Sequence, residues 1–187
     1  TVKNISTYFP NAKIIYISTD YVFSGDFGMS SEQDTPSPNT VYGKSKYNGE
    51  IIGREIAGKN FKIIRTASIF SENSSFLKFL ELNIMNNTPV KSYTDCIFSP
   101  TYIYDLVVCL KKIMANDYAN DIFHVVGNKI SRYAFAKSYF EARNHDIKNL
   151  IKCENNGENI YLFKDLSLSG ELTKKILDFN PTELKVA

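Results

Sequence analysis

Two short apolar runs punctuate the first third of the chain: residues 13–18 (Lys-Ile-Ile-Tyr-Ile-Ser) and residues 61–66 (Phe-Lys-Ile-Ile-Arg-Thr). Both are rich in β-branched and aromatic residues and lack polar alternation, a pattern that predicts strands buried on both faces in a parallel sheet. Between them residues 26–41 read as loop, punctuated by Gly28, Pro36, Pro38 and Asn39. A helix is predicted over residues 41–57, with Asn39 or Thr40 as N-cap and Gly58 as its stop, and it serves as the crossover between the two strands. Residues 1–9 read as the end of a helix broken by Pro10-Asn11. Further along, helical periodicity covers residues 74–86, with Phe76, Leu77, Phe79, Leu80 and Ile84 at core spacing. Residues 88–99 read as short strand and loop, 102–114 as amphipathic helix, 122–126 as a strand, and 131–143 as a helix packing Phe135 and Tyr139. One more helix is predicted near residues 170–177, before a polar tail broken at Pro181.

Composition narrows the function classes. A chain of 187 residues with 43% hydrophobic and 22% charged residues is long enough to bury a sizeable core. A net charge of +2 with no basic stripe argues against nucleic acid as a partner. No apolar run approaches a membrane span and no signal peptide is visible, so a cytoplasmic protein is expected. Cys96, Cys109 and Cys153 are odd in number and far apart, which suits a reduced interior. Neither His124 nor His145 has a companion at ligand spacing, so no metal site is expected; His124 is placed at the end of a buried strand.

The candidate chemistry lies in Tyr42-Gly-Lys-Ser-Lys46. At the start of a helix this spacing puts a phenol and an ammonium on one face. A nearby cation and the positive end of a helix lower the cost of a phenolate, so Tyr42 suits a general acid that protonates a carbonyl oxygen as hydride reaches its carbon. With twelve tyrosines and 18 lysines in 187 residues, chance supplies about one such spacing, and the chain has a second at Tyr133 and Lys137. Thr19, a hydroxyl at the end of the first strand, selects the first pair, because ligands of open α/β sheets bind beyond the carboxyl ends of strands.

These residues carry a resemblance. Ser18-Thr19-Asp20-Tyr21-Val22-Phe23-Ser24-Gly25, then Pro36-x-Pro38-x-x-x-Tyr42-Gly-Lys-Ser-Lys46-x-x-Gly49-Glu50, resembles the extended short-chain dehydrogenase/reductases, and among them the dTDP-4-dehydrorhamnose reductase group. The similarity runs on through Ile64-Arg65-Thr66-Ala67-Ser68-Ile69-Phe70, Ser99-Pro100-Thr101-x-x-x-Asp105-Leu106 and Phe123-His124-Val125-Val126-Gly127, to a weaker Lys164-Asp-Leu-Ser-Leu168. It implies an α/β fold: a partial Rossmann-type doubly wound parallel sheet plus a small α/β substrate-binding lobe. Residues 1–71 and 101–126 would form the C-terminal half of the dinucleotide-binding domain, and 72–100 and 127–187 the substrate-binding lobe. It implies Thr19, Tyr42 and Lys46 as the catalytic group. NADPH or NADH would meet Tyr42, Lys46, Thr66, Ala67 and Ser68. A 4-keto-6-deoxy sugar nucleotide would meet Asp20, Tyr21, Ser99, Pro100 and Thr101.

Departures from the pattern bear on the substrate more than on the reaction. Ala67-Ser68 stands where the group shows Ser-Trp, Asp95-Cys96-Ile97-Phe98 precedes Ser99 where it shows Asp-Gln-x-Gly, and Leu162-Phe163 stands where it shows Arg-Pro. The Gly-rich turn that holds the cofactor pyrophosphate has no counterpart, so the chain reads as a later portion of such an enzyme. Its sheet would then expose an edge to the missing N-terminal segment or to a homodimer partner. The alternatives are an epimerase or dehydratase of the same fold, although a dehydratase would want Asp-Glu after Thr19 and here Asp20-Tyr21 follows. A non-catalytic regulatory subunit, like that of methionine adenosyltransferase, is the third reading.

Overall fold

Phe61–Thr66 forms a strand in which every residue is buried, and the sheet is built outward from it. In a computed structural model of the chain, residues 2–156 and 162–183 are described. In chain order the elements begin α1 (Val2–Tyr8), β1 (Ile14–Thr19), α2 (Val41–Ala57), β2 (Phe61–Thr66), β3 (Ile69–Phe70), α3 (Ser75–Met85), β4 (Val90–Tyr93) and β5 (Ile97–Phe98). They continue β6 (Thr101–Tyr102), α4 (Ile103–Ala115), β7 (Ile122–His124), β8 (Ile130–Ser131), α5 (Arg132–Ala142), β9 (Leu150–Cys153) and α6 (Glu171–Leu177). The predicted polar tail lies partly in residues 184–187, outside the described residues.

The main sheet has the order β1-β2-β7, and both pairings are parallel. Thr19 stands beside Thr66, and Arg65 beside His124. As the central strand, β2 is covered on both faces. Phe61 and Ile63 point to one side with Ala57, Tyr16 and Val2, while Ile64 points to the other with Leu106, Cys109, Ile113 and Phe123. Burial on both faces was also expected of β1, but its first four residues are only half-buried, since among the described residues it has a neighbour strand on one side alone.

The crossover helix α2 lies very close to the sheet. A Cβ on Gly53 would stand 2.1 Å from the Phe61 ring, so only a bare backbone fits there. At the other end, a Cβ on Gly43 would stand 2.0 Å from the carbonyl oxygen of Tyr21. That contact presses the first turn of α2, which carries Tyr42, onto the segment following β1.

A second core gathers Leu77 and Leu80 of α3, Phe135, Tyr139 and Phe140 of α5, and Val90 and Leu150. Val90 and Leu150 belong to β4 and β9, which pair in parallel. The four-residue run of β9 is too short for periodicity to reveal. Phe79, expected in this core, is 50% exposed, because it lies on the opposite side of α3 from Leu77 and Leu80. Residues 127–187 were assigned to the lobe, yet Leu177 of α6 packs in the sheet's own cluster with α4. The segment before α6 is laced to the loop after β1: Asp165 N–H donates to the Gly25 carbonyl at 3.0 Å and Ser169 N–H to that of Ser30 at 2.9 Å.

Candidate active site

Thr19 ends β1 in extended conformation and caps the turn that follows, accepting a hydrogen bond from Tyr21 N–H at 3.3 Å. Its hydroxyl donates to Asp20 Oδ1 at 2.8 Å. Asp20 is 4% exposed, and this burial raises its carboxyl to about 7, against the opposing pull of the Thr19 and Tyr21 hydrogen bonds and the charge of Arg132. The native protein therefore binds a proton here between pH 4 and 7 that the unfolded chain has lost, and Asp20 makes folding less favourable as pH rises through that window. Asp20→Asn is accordingly expected to gain thermal stability over the parent progressively between pH 4 and 7 and to match it below pH 4. Melting curves at stepped pH check this, and a constant difference would refute it.

Helix α2 brings in the other two groups. Thr40 caps it, accepting from Gly43 N–H at 2.9 Å, which places Tyr42 in the first turn as its sequence position predicted. Tyr42 is 56% exposed, with its ring edge-on to Tyr21 at 5.8 Å between centroids. Tyr21 in turn meets Phe163 edge-on at 5.5 Å, so three aromatic rings form one wall. One helical turn beyond Tyr42, half-buried Lys46 donates from Nζ to the carbonyl of Ile17, two residues before Thr19, and lies 4.3 Å from the centroid of the Tyr16 ring. Burial lowers its ammonium pKa, and Glu50, a turn further on, works the other way. Thr19, Tyr42 and Lys46 are thus gathered at the carboxyl end of β1.

The residues after β2 divide by exposure. Thr66 is buried and donates to the Ser18 carbonyl at 3.3 Å, while Ala67 N–H donates to Thr101 Oγ1 at 3.2 Å. Ser68 is exposed. In the Ser99-Pro100-Thr101 turn, the Ser99 hydroxyl donates to the Leu168 carbonyl at 3.2 Å and that of Thr101 to the Val125 carbonyl at 2.9 Å. Both side chains are buried and engaged with backbone, so Pro100 is the member of the turn that lines a cavity.

The competing pair is put to other use. Tyr133 packs against the second core under the ammonium of Lys152, 5.1 Å from its ring centroid, and Lys137 pairs with Glu141 at 3.4 Å. Among the described residues, no hydrogen bond, ion pair or ring contact joins either to β1's carboxyl end.

Sequence reading missed the buried bridge between α2 and the sheet. Arg65 is 1% exposed and Glu50 2%, and the guanidinium donates through Nε at 3.0 Å and Nη2 at 2.7 Å to the two carboxylate oxygens. His124 lies 3.4 Å from Arg65 Nη1, and burial followed by the Arg65 charge lowers its pKa to about 3. The signal was present: a carboxylate one turn beyond Lys46 on the glycine-lined face of α2, and an arginine inside an apolar strand. Among the described residues, no group of three or more His, Cys, Asp or Glu could hold a metal ion. Cys96 and Cys109 are buried free thiols.

A parallel α/β sheet presenting a hydroxyl, a phenol and an ammonium at one strand end is the arrangement of a short-chain dehydrogenase/reductase fold of the Rossmann type. The chain belongs to the RmlD substrate binding domain family, matched over residues 5–160. It is 35% identical over 133 residues to the spore coat polysaccharide biosynthesis protein SpsK of Bacillus subtilis, covering 70% of this chain and 46% of that protein. To a dTDP-4-dehydrorhamnose reductase of Aggregatibacter actinomycetemcomitans it is 34% identical over 139 residues, 70% of this chain and 47% of the relative. Among solved structures, the dTDP-4-dehydrorhamnose reductase of Bacillus anthracis in complex with NADP superposes with a TM-score of 0.87 at 27% identity. That match covers 99% of this chain and 67% of the other. The chain spans about half the length of the curated relatives it matches.

Proposed function

We propose that the natural protein carrying this chain is a nucleotide-sugar reductase that reduces the 4-keto group of a 6-deoxy sugar linked to a nucleoside diphosphate. One observation carries the reading: Thr19, Tyr42 and Lys46 converge on one strand end, whereas Tyr133 and Lys137 are absorbed by core packing and a surface ion pair.

The residues present fit a nicotinamide cofactor, NADPH or NADH, at its ribose end. Lys46 is held half-buried beside β1, and Ser68 is open beyond β2, which ends at Thr66, with Ala67 between them. When bound, the reduced nicotinamide supplies hydride to the carbonyl carbon. Thr19, turning its hydroxyl from Asp20 Oδ1, hydrogen-bonds the carbonyl oxygen and fixes its direction. Tyr42 gives its phenolic proton to that oxygen, so the carbonyl becomes a secondary alcohol and a phenolate remains. Lys46, on the same helix face, stabilises the phenolate by its charge and orients the ribose. Asp20 and Tyr21 face the sugar, and the Ser99-Pro100-Thr101 turn supports the substrate side. Residues 1–71 and 101–126 serve the cofactor and 72–100 and 127–187 the substrate, with α6 returning to the sheet. A cytoplasmic location accords with the free thiols of Cys96 and Cys109.

The test is oxidation of NADPH or NADH, followed by absorbance, with a dTDP-4-keto-6-deoxy sugar and the natural protein. Substrate-dependent oxidation is expected, and its absence with both cofactors would overturn the reading.

A further inference from the structure

Arg132 is the first residue of α5, where the helix dipole disfavours a cation. Among the described residues it has no carboxylate partner and no side-chain hydrogen bond. Its guanidinium carbon instead lies 5.0 Å from the centroid of the Phe98 ring. A cation so placed, at the wrong end of a helix and unpaired, calls for an anion from outside the chain.

The surroundings supply the rest of such a site. Arg132 lines a cavity of about 150 Å³ together with Ser68, Ser74, Ser75, Phe98 and Pro100. Ser74 and Ser75 form the N-terminus of α3, so two helix N-termini meet at one cavity. The two ends differ. Ser131 caps α5 by accepting from Ala134 N–H at 3.0 Å, but Ser74 makes no side-chain cap bond, and its Oγ is buried without a partner. Phe70, Phe76 and Phe135 complete the walls, and such an apolar lining strengthens any charge interaction inside. The other cation near this side, Lys129, lines the neighbouring cavity and is already paired with Asp165 at 2.5 Å. Ser68, on the same cavity, lies two residues beyond Thr66, the register partner of Thr19, so the cavity adjoins the end of β1 that carries Thr19.

We propose that Arg132, with the N-terminus of α3, binds the diphosphate of the nucleotide-sugar substrate and is a specificity-determining contact of this chain. The inference rests on the nucleotide-sugar reading and moves the diphosphate away from Ser99 and Thr101, whose hydroxyls are engaged with carbonyls. A planar guanidinium can meet two phosphate oxygens at once, and a lysine cannot reproduce that fork.

The experiment is calorimetric titration of dTDP, without reduction, into the natural protein and its Arg132→Gln and Arg132→Lys variants, with a melting curve for each. Arg132→Gln is expected to weaken dTDP binding about tenfold or more, and Arg132→Lys to fall between. The salt dependence of binding should flatten in Arg132→Gln. Parental affinity in a folded Arg132→Gln protein overturns the proposal. Should that variant fail to fold, parental affinity in Arg132→Lys overturns it equally. Because the readout needs no hydride transfer, Arg132-dependent dTDP binding in a protein that reduces no keto sugar would sink the reductase reading alone. Reduction with an unchanged KM in Arg132→Gln would sink this one alone.

Discussion

Tyr42→Phe is expected to lower kcat for reduction by about 10²-fold or more while leaving the fold intact. The substitution removes one oxygen and keeps the ring. The edge-on contact with Tyr21 at 5.8 Å survives, and the side chain is 56% exposed, so no buried group is orphaned. Surface changes of this kind alter stability by about 0.5 kcal/mol or less, so the melting temperature should hardly move. What is lost is the proton that the nascent alkoxide requires, and water reaching the half-open site replaces it poorly. Steady-state kinetics on the natural protein decide the matter, with Tyr133→Phe as control. That tyrosine has the same spacing to a lysine but sits against the second core, so its loss should leave kcat nearly unchanged. Unchanged turnover in Tyr42→Phe would remove the proton-donor assignment.

The contrast between these tyrosines shows what the sequence could convey. Strands β1, β2 and β7 and helices α2 to α6 were legible because burial on both faces and helical periodicity leave residue patterns that need no tertiary knowledge. Thr19, Tyr42 and Lys46 were legible because strand end and helix start are local features. Strand β9 was hidden, since two of its four residues are exposed and its partner β4 lies about sixty positions away. The roles of Ser99 and Thr101 were hidden for a different reason. Residue type identifies a hydroxyl, but only packing reveals that the carbonyls of Leu168 and Val125 already take it. Arg132 was passed over because the helix it opens reads as plain core packing. Its significance depends on α3, more than fifty residues earlier, beginning at the same cavity.

Arg65→Met is expected to destabilise the protein by about 3–5 kcal/mol, the usual cost of removing one partner from a buried ion pair. Glu50 is 2% exposed and receives both of its hydrogen bonds in that pair from Arg65, so it would be left as an unsatisfied buried carboxylate. His124 would also lose its contact at 3.4 Å. Glu50→Gln should cost less than Arg65→Met if the amide retains one hydrogen bond. The double variant Glu50→Leu with Arg65→Met should recover most of the loss, because the two desolvation penalties disappear together. Urea unfolding of the parent, Arg65→Met, Glu50→Leu and the double variant, compared at a common m-value, measures the coupling, and simple additivity would refute it. The pair also has a consequence for the site. Glu50 lies one turn beyond Lys46 on α2, so the bridge to β2 fixes the rotation and depth of the helix that carries Tyr42 and Lys46. The double variant, though refolded, is therefore expected to keep less turnover than its stability alone implies, since two apolar side chains restore packing without restoring a directional anchor.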